Sequence, residues 1–334
     1  MLQFEGYEVL TTFKNIDEQA EREVHNIQIP KDQRKCLFCG KDNTTTTFNK
    51  VAHAVSETVG NKSLISYCEC DKCNEDFGKV FEDNLGKYML PYKIVTQTFG
   101  KNKQLVSKDI PKDESISYDS YRIQVNKNTP IIEGFETKGL IIEKRDTGII
   151  KKVADGFEIS IPRQHYFPPA VYCSFLKMAY SILPLDLYKN YVKHFVVLQQ
   201  LISENSMYHS EEEKREVMSS MENCGLYCFV PGINPLGGIN VILWKKMNLE
   251  DKLYPQMLFT LEMKNFSFTI PVVGDDEEGS RKMPRFSSDK DMQYNVLDFT
   301  KEETEFKCLM KAEEIEILDY ELLEEELRNH KLLK

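Results

Sequence analysis

No segment of this 334-residue chain approaches the apolar length of a membrane span, so a membrane-spanning protein is not expected. The N-terminus has no basic-then-apolar order, which argues against a secretory signal. A Gly-rich phosphate loop, a Gly-x-Ser-x-Gly motif and a Rossmann fingerprint are also absent. The sequence therefore gives no support to a P-loop, dinucleotide-binding or serine-hydrolase enzyme.

An excess of positive charge is missing as well. The chain has 53 Asp and Glu against 43 Lys and Arg, for a net charge of −10. Phosphate binding needs local Lys and Arg, so this balance argues against a general nucleic-acid coat. Acidic residues concentrate at 211–216, 275–278 and 305–334. A small basic surface on an acidic protein remains compatible with these numbers.

Cysteine is present in an odd number, nine, and four of the nine form two clustered pairs. Secreted domains usually carry even numbers of disulfide-bonded Cys, whereas clustered thiols in a reducing compartment usually bind metal. We therefore expect free or metal-bound thiolates and a cytoplasmic location.

The two pairs are Cys36-x2-Cys39 and Cys70-x2-Cys73, and they are called the two hooks below. Each hook can present two sulfur ligands from one tight turn, and four thiolates close a tetrahedral zinc site. Cys68 lies two residues before Cys70. A Cys68/Cys73 pairing would leave Cys70 unused, so Cys68 is predicted to take no part in the site.

The segment between and after the hooks predicts two strands and a helix. Residues 44–51 favour a strand that leads into His53, and residues 64–67 favour a second strand. From Asn74 onward, apolar residues recur at helical spacing, which predicts a helix with one buried stripe. Its members are Phe77, Val80, Phe81, Leu85, Tyr88 and Met89.

Four short motifs together carry a family resemblance. They are Cys-Leu-Phe-Cys-Gly at 36–40, Ala-His-Ala-Val at 52–55, Gly-Asn-Lys at 60–62 and Cys-Asp-Lys-Cys-Asn at 70–74. In this order they resemble an HNH endonuclease of the zinc-knuckle type, over about residues 33–93. The resemblance implies a treble-clef ββα-metal core in an α+β protein.

The resemblance also implies roles for three residues. His53 matches the general base that activates water for attack on a phosphodiester, and Asn61 matches the residue that steadies the loop and orients the His. Asn74 matches a ligand of the catalytic ion, which is usually Mg²⁺ or Mn²⁺. The zinc held by Cys36, Cys39, Cys70 and Cys73 would be structural, because four thiolates leave no open position.

One position departs from the family. The residue before the His is usually acidic or a second His that ligates the metal, but here it is Ala52, which cannot coordinate a hard cation. Either another carboxylate substitutes or catalysis is impaired. Glu57, four residues beyond His53, is the favoured substitute. Glu82 lies eight residues beyond Asn74, roughly 12 Å along a helix, which makes shared ligation with Asn74 difficult.

The chain is predicted to divide into a lead-in over 1–32, helical or irregular, the zinc-knuckle nuclease segment at 33–93, and an α+β region at 94–334. That last region favours a helix opening at Pro168 and several antiparallel strands after residue 224. It is expected to regulate or target the nuclease, through a protein partner or a second copy of the chain.

Two functions follow as hypotheses. The first is a metal-dependent DNA endonuclease, by analogy in a bacterial restriction or anti-phage (antiviral defence) role. The second is a catalytically inactive zinc knuckle that binds DNA or a protein, which the loss of a metal ligand at Ala52 would favour.

Overall fold

The computed structural model describes residues 2–18, 24–25, 29–96, 98, 124–125, 140–141, 150–153, 156–188, 218–229, 236–272 and 282–311. Its longer strands lie in the N-terminal 13 residues and beyond residue 150, and its longer helices at 71–96 and 168–181. The strands are β1 Gln3–Phe4, β2 Tyr7–Phe13, β3 Val24–His25, β4 Ala52–His53, β5 Ile65–Ser66, β6 Gln124–Val125, β7 Leu140–Ile141, β8 Ile150–Val153, β9 Gly156–Pro162, β10 Cys224–Phe229, β11 Ile239–Lys246, β12 Met257–Met263, β13 Phe266–Val272, β14 Phe286–Ser287, β15 Met292–Leu297 and β16 Glu305–Lys311. The helices are α1 Asp71–Phe77, α2 Asp83–Thr96, α3 Pro168–Ser181 and α4 Leu185–Tyr188, and a π-helical turn, Gly78–Glu82, joins α1 to α2.

The largest layer is a six-stranded antiparallel sheet in the order β15-β10-β13-β12-β11-β2. A three-stranded sheet, β16-β9-β8, and a small sheet, β3-β5-β4, accompany it. The predicted α+β class with antiparallel sheet is therefore confirmed. Among the described residues, no helix combines the length and apolarity needed to cross a bilayer.

The prediction that the lead-in is helical or irregular is wrong for residues 7–13. They form β2, which pairs with β11 at the edge of the large sheet, with Phe13 opposite Val241. The segment Tyr-Glu-Val-Leu-Thr-Thr-Phe is rich in aromatic and β-branched residues, which favour a strand. The predicted helix around residues 18–24 lies mostly outside the described residues.

Both faces of the central strands of the large sheet, β10 to β13, are buried. Along β11, Val241 and Leu243 belong to the main core, while Ile242 and Trp244 belong to a second cluster with Leu2. Successive side chains of a strand point to opposite faces, so this alternation places one cluster on each side of the sheet. Burial on both faces explains why β10 to β13 are almost continuously apolar.

Helices α2 and α3 pack between the large sheet and the segment that carries the hooks. Phe175 of α3 stacks on Phe268 of β13 at 5.7 Å between ring centroids, and Tyr92 of α2 meets Phe268 at 4.8 Å. The same buried cluster includes Cys36 and Phe38 of the first hook. The apolar core is thus continuous from the hook segment into the sheet. The division at residues 93 and 94 remains a prediction.

The π-helical turn changes the buried stripe that the sequence predicts. Phe77, Phe81, Leu85 and Met89 are buried, as predicted, but Val80 lies within the turn and is 42% exposed. A π turn inserts one residue into the helical repeat, so the stripe shifts after the insertion. The shift keeps the later members of the stripe on the core side.

Candidate metal centre and active site

The four hook cysteines converge on one point. Sulfur atoms of Cys36, Cys39, Cys70 and Cys73 all lie within 4.8 Å of one another, and the Cys39 and Cys70 sulfurs are 3.7 Å apart. Tetrahedral zinc with Zn–S bonds of about 2.3 Å separates its sulfurs by about 3.8 Å, so the donor set fits zinc. Cys68 is buried but lies outside this group, as the sequence predicts.

Backbone groups around the hooks favour thiolates. The amides of Cys70 and Cys73 donate to the sulfurs of Cys36 and Cys70, each at 3.5 Å. Cys70 is also the N-cap of α1, where the helix dipole favours negative charge. The hydrogen bond between the Cys73 and Cys36 thiols lowers the pKa of Cys36 and raises that of Cys73, and burial raises the pKa of Cys39. Metal binding requires deprotonated sulfur, which the amide donors favour at Cys36 and Cys70.

Residues 44–51 form a loop, so the strand predicted there is wrong. A strand begins only at Ala52, with the short β4. The Asp71 carboxylate accepts hydrogen bonds from the Thr47 hydroxyl at 2.5 Å and from the amides of Asn49 and Lys50 at 2.9 and 2.7 Å. By accepting these hydrogen bonds, the carboxylate takes the place of the partner strand that would otherwise pair with the amides. Asp71 opens α1 directly after Cys70, so the second hook fixes this loop.

His53 lies in β4, opposite Ile65 of β5. Its side chain is 19% exposed, so water can reach the imidazole. The ring lies between two predicted site residues. Nε2 is 3.3 Å from Oε1 of Glu57, and Nδ1 is 3.4 Å from Nδ2 of Asn61.

Asn61 is buried and organises the loop that follows His53. Its Nδ2 donates to the carbonyls of Val55 at 2.6 Å and Leu64 at 2.9 Å, and its Oδ1 accepts from the amides of Ser63 and Leu64. The two amide hydrogens are committed to these short bonds, so the 3.4 Å approach to His53 is a packing contact. The predicted loop-steadying role remains a proposal that this geometry favours.

Gly60 makes the conformation of this loop possible. Its φ of +100° lies in the left-handed region, and a Cβ there would lie 2.5 Å from Ile239 Cδ1 and 2.8 Å from Thr98 Cγ2. Only glycine fits this position without strain. The loop therefore packs directly against β11 of the large sheet.

Glu57 begins a short 3₁₀ turn, Glu57–Val59, that Ser56 caps by accepting a hydrogen bond from the Thr58 amide. Its side chain is 41% exposed and faces His53 across the pair described above. Glu57 is the predicted substitute ligand because it lies four residues beyond His53. That spacing places its carboxylate beside the imidazole.

Asn74 occupies the first turn of α1, with its amide donating to the Cys70 carbonyl at 3.0 Å. The cap of this helix is Cys70, and the helix begins at Asp71, within the second hook. The Asn74 side chain is partly exposed. Among the described residues, no hydrogen bond joins it to His53, Asn61 or Glu57, so the structure brings together those three and leaves Asn74 on the adjoining helix.

Two charged residues that sequence reasoning missed lie beneath the site. Lys177 of α3 donates from Nζ to the His53 carbonyl at 2.6 Å and pairs with Oε2 of Glu69 at 2.9 Å. Burial raises the pKa of Glu69 to about 7 despite the opposing attraction of Lys177. One signal was available: Lys177 is the single charged residue of an otherwise apolar or small helix.

Comparison with known proteins agrees with this geometry. Residues 36–90 match the family model of HNH endonucleases. The HNH resemblance predicted for about 33–93 is therefore confirmed. The match begins at the first hook and ends within α2, so it includes His53, Asn61 and Asn74. No curated protein and no solved structure matches the chain.

Proposed function

We propose that this protein is a metal-dependent endonuclease that hydrolyses DNA phosphodiester bonds. The observation that carries the proposal is the placement of His53. Its imidazole is partly exposed, lies within 3.4 Å of Asn61 and Glu57, and sits in a segment that matches HNH endonucleases. A water-accessible imidazole fixed by its surroundings is what general-base attack on a phosphodiester requires.

In the proposed reaction, His53 accepts a proton from the attacking water at whichever ring nitrogen faces the DNA. Asn61 holds the loop from Val55 to Leu64, which keeps the ring close to its present orientation. Orientation matters because proton transfer requires a hydrogen-bonded approach of about 2.6–3.2 Å.

Two predicted site residues also suit a divalent ion. Glu57 supplies the carboxylate that Ala52 cannot, and Asn74 supplies a carboxamide oxygen from the neighbouring helix; both are oxygen donors of the kind that Mg²⁺ and Mn²⁺ prefer. When bound, the ion would stabilise charge on the phosphate and on the leaving 3′ oxygen. The zinc centre would hold the scaffold, since its four sulfur ligands leave no open position.

The test is plasmid cleavage by the purified full chain. We expect nicking with Mg²⁺ or Mn²⁺ and none with EDTA at a concentration that leaves zinc in place. His53→Ala should lower the rate by at least about a hundredfold with unchanged zinc content. His165→Ala is the matched control, because that side chain is 92% exposed and pairs with Glu302, outside the site. Full activity in His53→Ala would remove His53 from the mechanism.

A second function has one observation in its favour. Ala52 is buried, 1% exposed, and offers no ligand atom where the family usually has one. In this alternative the zinc knuckle is inactive and binds DNA or a protein partner. DNA binding in a mobility-shift assay, with no cleavage under Mg²⁺ or Mn²⁺, would favour this alternative over the nuclease.

The wider role follows by analogy with HNH nucleases and is part of the proposal. A cytoplasmic restriction or anti-phage nuclease would use residues 94–334 to select a substrate, to bind a protein partner or to form a homo-oligomer. Measuring phage plating efficiency on cells that express the wild-type chain or His53→Ala tests the defence role directly.

A further inference from the structure

Helix α3 places one ammonium group at the junction of three elements. Lys177 Nζ lies 2.6 Å from the His53 carbonyl and 2.9 Å from Glu69 Oε2, and the Lys177 side chain is 3% exposed. Glu69 directly precedes Cys70 of the second hook. Lys177, which follows His53 by 124 positions, therefore contacts both His53 and the residue next to a zinc ligand.

Burying the Lys177–Glu69 ion pair costs desolvation free energy, and the fold alone does not explain why the pair is there. Both charged side chains are buried, and within the described part of the chain Oε1 of Glu69 has no hydrogen-bond partner. Buried ion pairs seldom stabilise a fold more than apolar residues of similar size would. The neighbours of Lys177 on α3, Leu176 and Met178, are apolar and fully buried, so an apolar residue would suit this helix position.

The bond to His53 has a consequence for the site. Strand β4 contains only Ala52 and His53, so few ladder hydrogen bonds hold it in place. A charged donor at 2.6 Å is among the stronger hydrogen bonds in proteins. It fixes the backbone of His53 against α3, and the orientation of the imidazole depends on that backbone.

We infer that Lys177 is a positioning residue for His53. Through it, helix α3 holds the imidazole in the orientation that general-base catalysis requires. The inference rests on the proposed nuclease function. On this account the region beyond residue 93 completes the site as well as regulating it. Lys177 does not touch DNA, so its loss lowers kcat and leaves KM for DNA nearly unchanged.

Removing Lys177 alone would leave Glu69 buried and unpaired, which can unfold the chain. The experiment therefore compares two variants that both lack the ion pair. In Glu69→Gln, Lys177 still donates to the His53 carbonyl. In the double variant Glu69→Gln/Lys177→Met, an unbranched apolar side chain fills the same space and that donation is lost. Ser174→Ala controls for substitution within α3, because its hydroxyl donates within the helix, to the Ala170 carbonyl.

We expect kcat of the double variant to fall about tenfold to a hundredfold below that of Glu69→Gln, with KM and zinc content equal in the two. Ser174→Ala should cleave like the wild type. Equal kcat in the double variant and Glu69→Gln would overturn the inference, because Lys177 would then serve only to neutralise Glu69.

A second measurement separates this inference from the nuclease proposal. In ¹⁵N-histidine-labelled protein, the His53 ring signals, assigned with His53→Ala, should shift or broaden in the double variant relative to Glu69→Gln. Unchanged signals would overturn the positioning role whether or not the chain cuts DNA. If the signals change in the double variant but the wild-type chain cuts no DNA, the nuclease proposal is refuted and the contact from Lys177 to His53 remains supported.

Discussion

The hook segment, residues 36–90, and the six-stranded sheet are stabilised in different ways. In the hook segment the strands are two residues long, and side chains such as Asp71 and Asn61 provide hydrogen bonds that strands would otherwise provide. In the sheet, the central strands of six to eight residues bury both faces in apolar contacts. The comparison indicates that the site depends on sulfur ligands and polar contacts, while the sheet depends on apolar burial.

Loss of a zinc ligand should give the largest difference between the two regions. We expect Cys70→Ser to reduce bound zinc from about one ion per chain to near none and to abolish cleavage, since structural zinc contributes on the order of 10 kcal/mol in small zinc domains. Hydrogen exchange should show the loop around Asn61 opening while the strands of the sheet stay protected.

Cys68→Ser is the matched control for that experiment, because Cys68 is a buried thiol of the same segment outside the sulfur group. It should retain zinc and cleavage. Full zinc occupancy in Cys70→Ser, or protection lost equally in the loop and the sheet, would contradict the distinction between the two regions.

A cavity in the sheet core should lower the stability of the fold and leave zinc binding unchanged, the opposite of the effect expected for Cys70→Ser. Phe268 is fully buried and packs against both Phe175 and Tyr92, so Phe268→Ala should cost about 3–5 kcal/mol of unfolding free energy. Denaturant unfolding measures the loss, and zinc content of the folded protein should be unchanged. Val296→Ala, at a 58% exposed position of β15, should cost far less. Similar losses in the two variants would show that apolar burial does not dominate the sheet.

The smallest expected effect is at the contact between the two regions. Gly60→Ala forces a Cβ toward Ile239 at a positive φ, so about 1–3 kcal/mol of stability should be lost. Cleavage should fall with it, because the loop positions Asn61 beside His53. Gly86→Ala is the control: a Cβ there lies 3.4 Å from Thr58 Cγ2, and alanine favours the helix. Wild-type stability and cleavage in Gly60→Ala would show that this contact is loose.

The parts predicted from sequence are those in which the signal is local. The two hooks follow from cysteine spacing, and β10 to β13 follow from short apolar and β-branched runs. The proximity of His53, Asn61 and Glu57 follows from a motif and from short separations along the chain. These features need no knowledge of distant contacts.

The parts that were missed depend on distant contacts. β2 forms because β11, more than 220 residues later, supplies its partner. Residues 44–51 have β-favouring side chains, yet Asp71 takes their amides. Lys177 reaches His53 only because α3 packs against the hook segment. Tertiary contacts override local preference in each case.

The most direct test of the central claim is a crystal structure of the full chain soaked with Mn²⁺, with the ion located by its anomalous signal. The account predicts a manganese ion within about 2.5 Å of a Glu57 oxygen, next to His53, with zinc at the four sulfurs. An occupied zinc centre with no manganese beside His53 at saturating Mn²⁺ would contradict it.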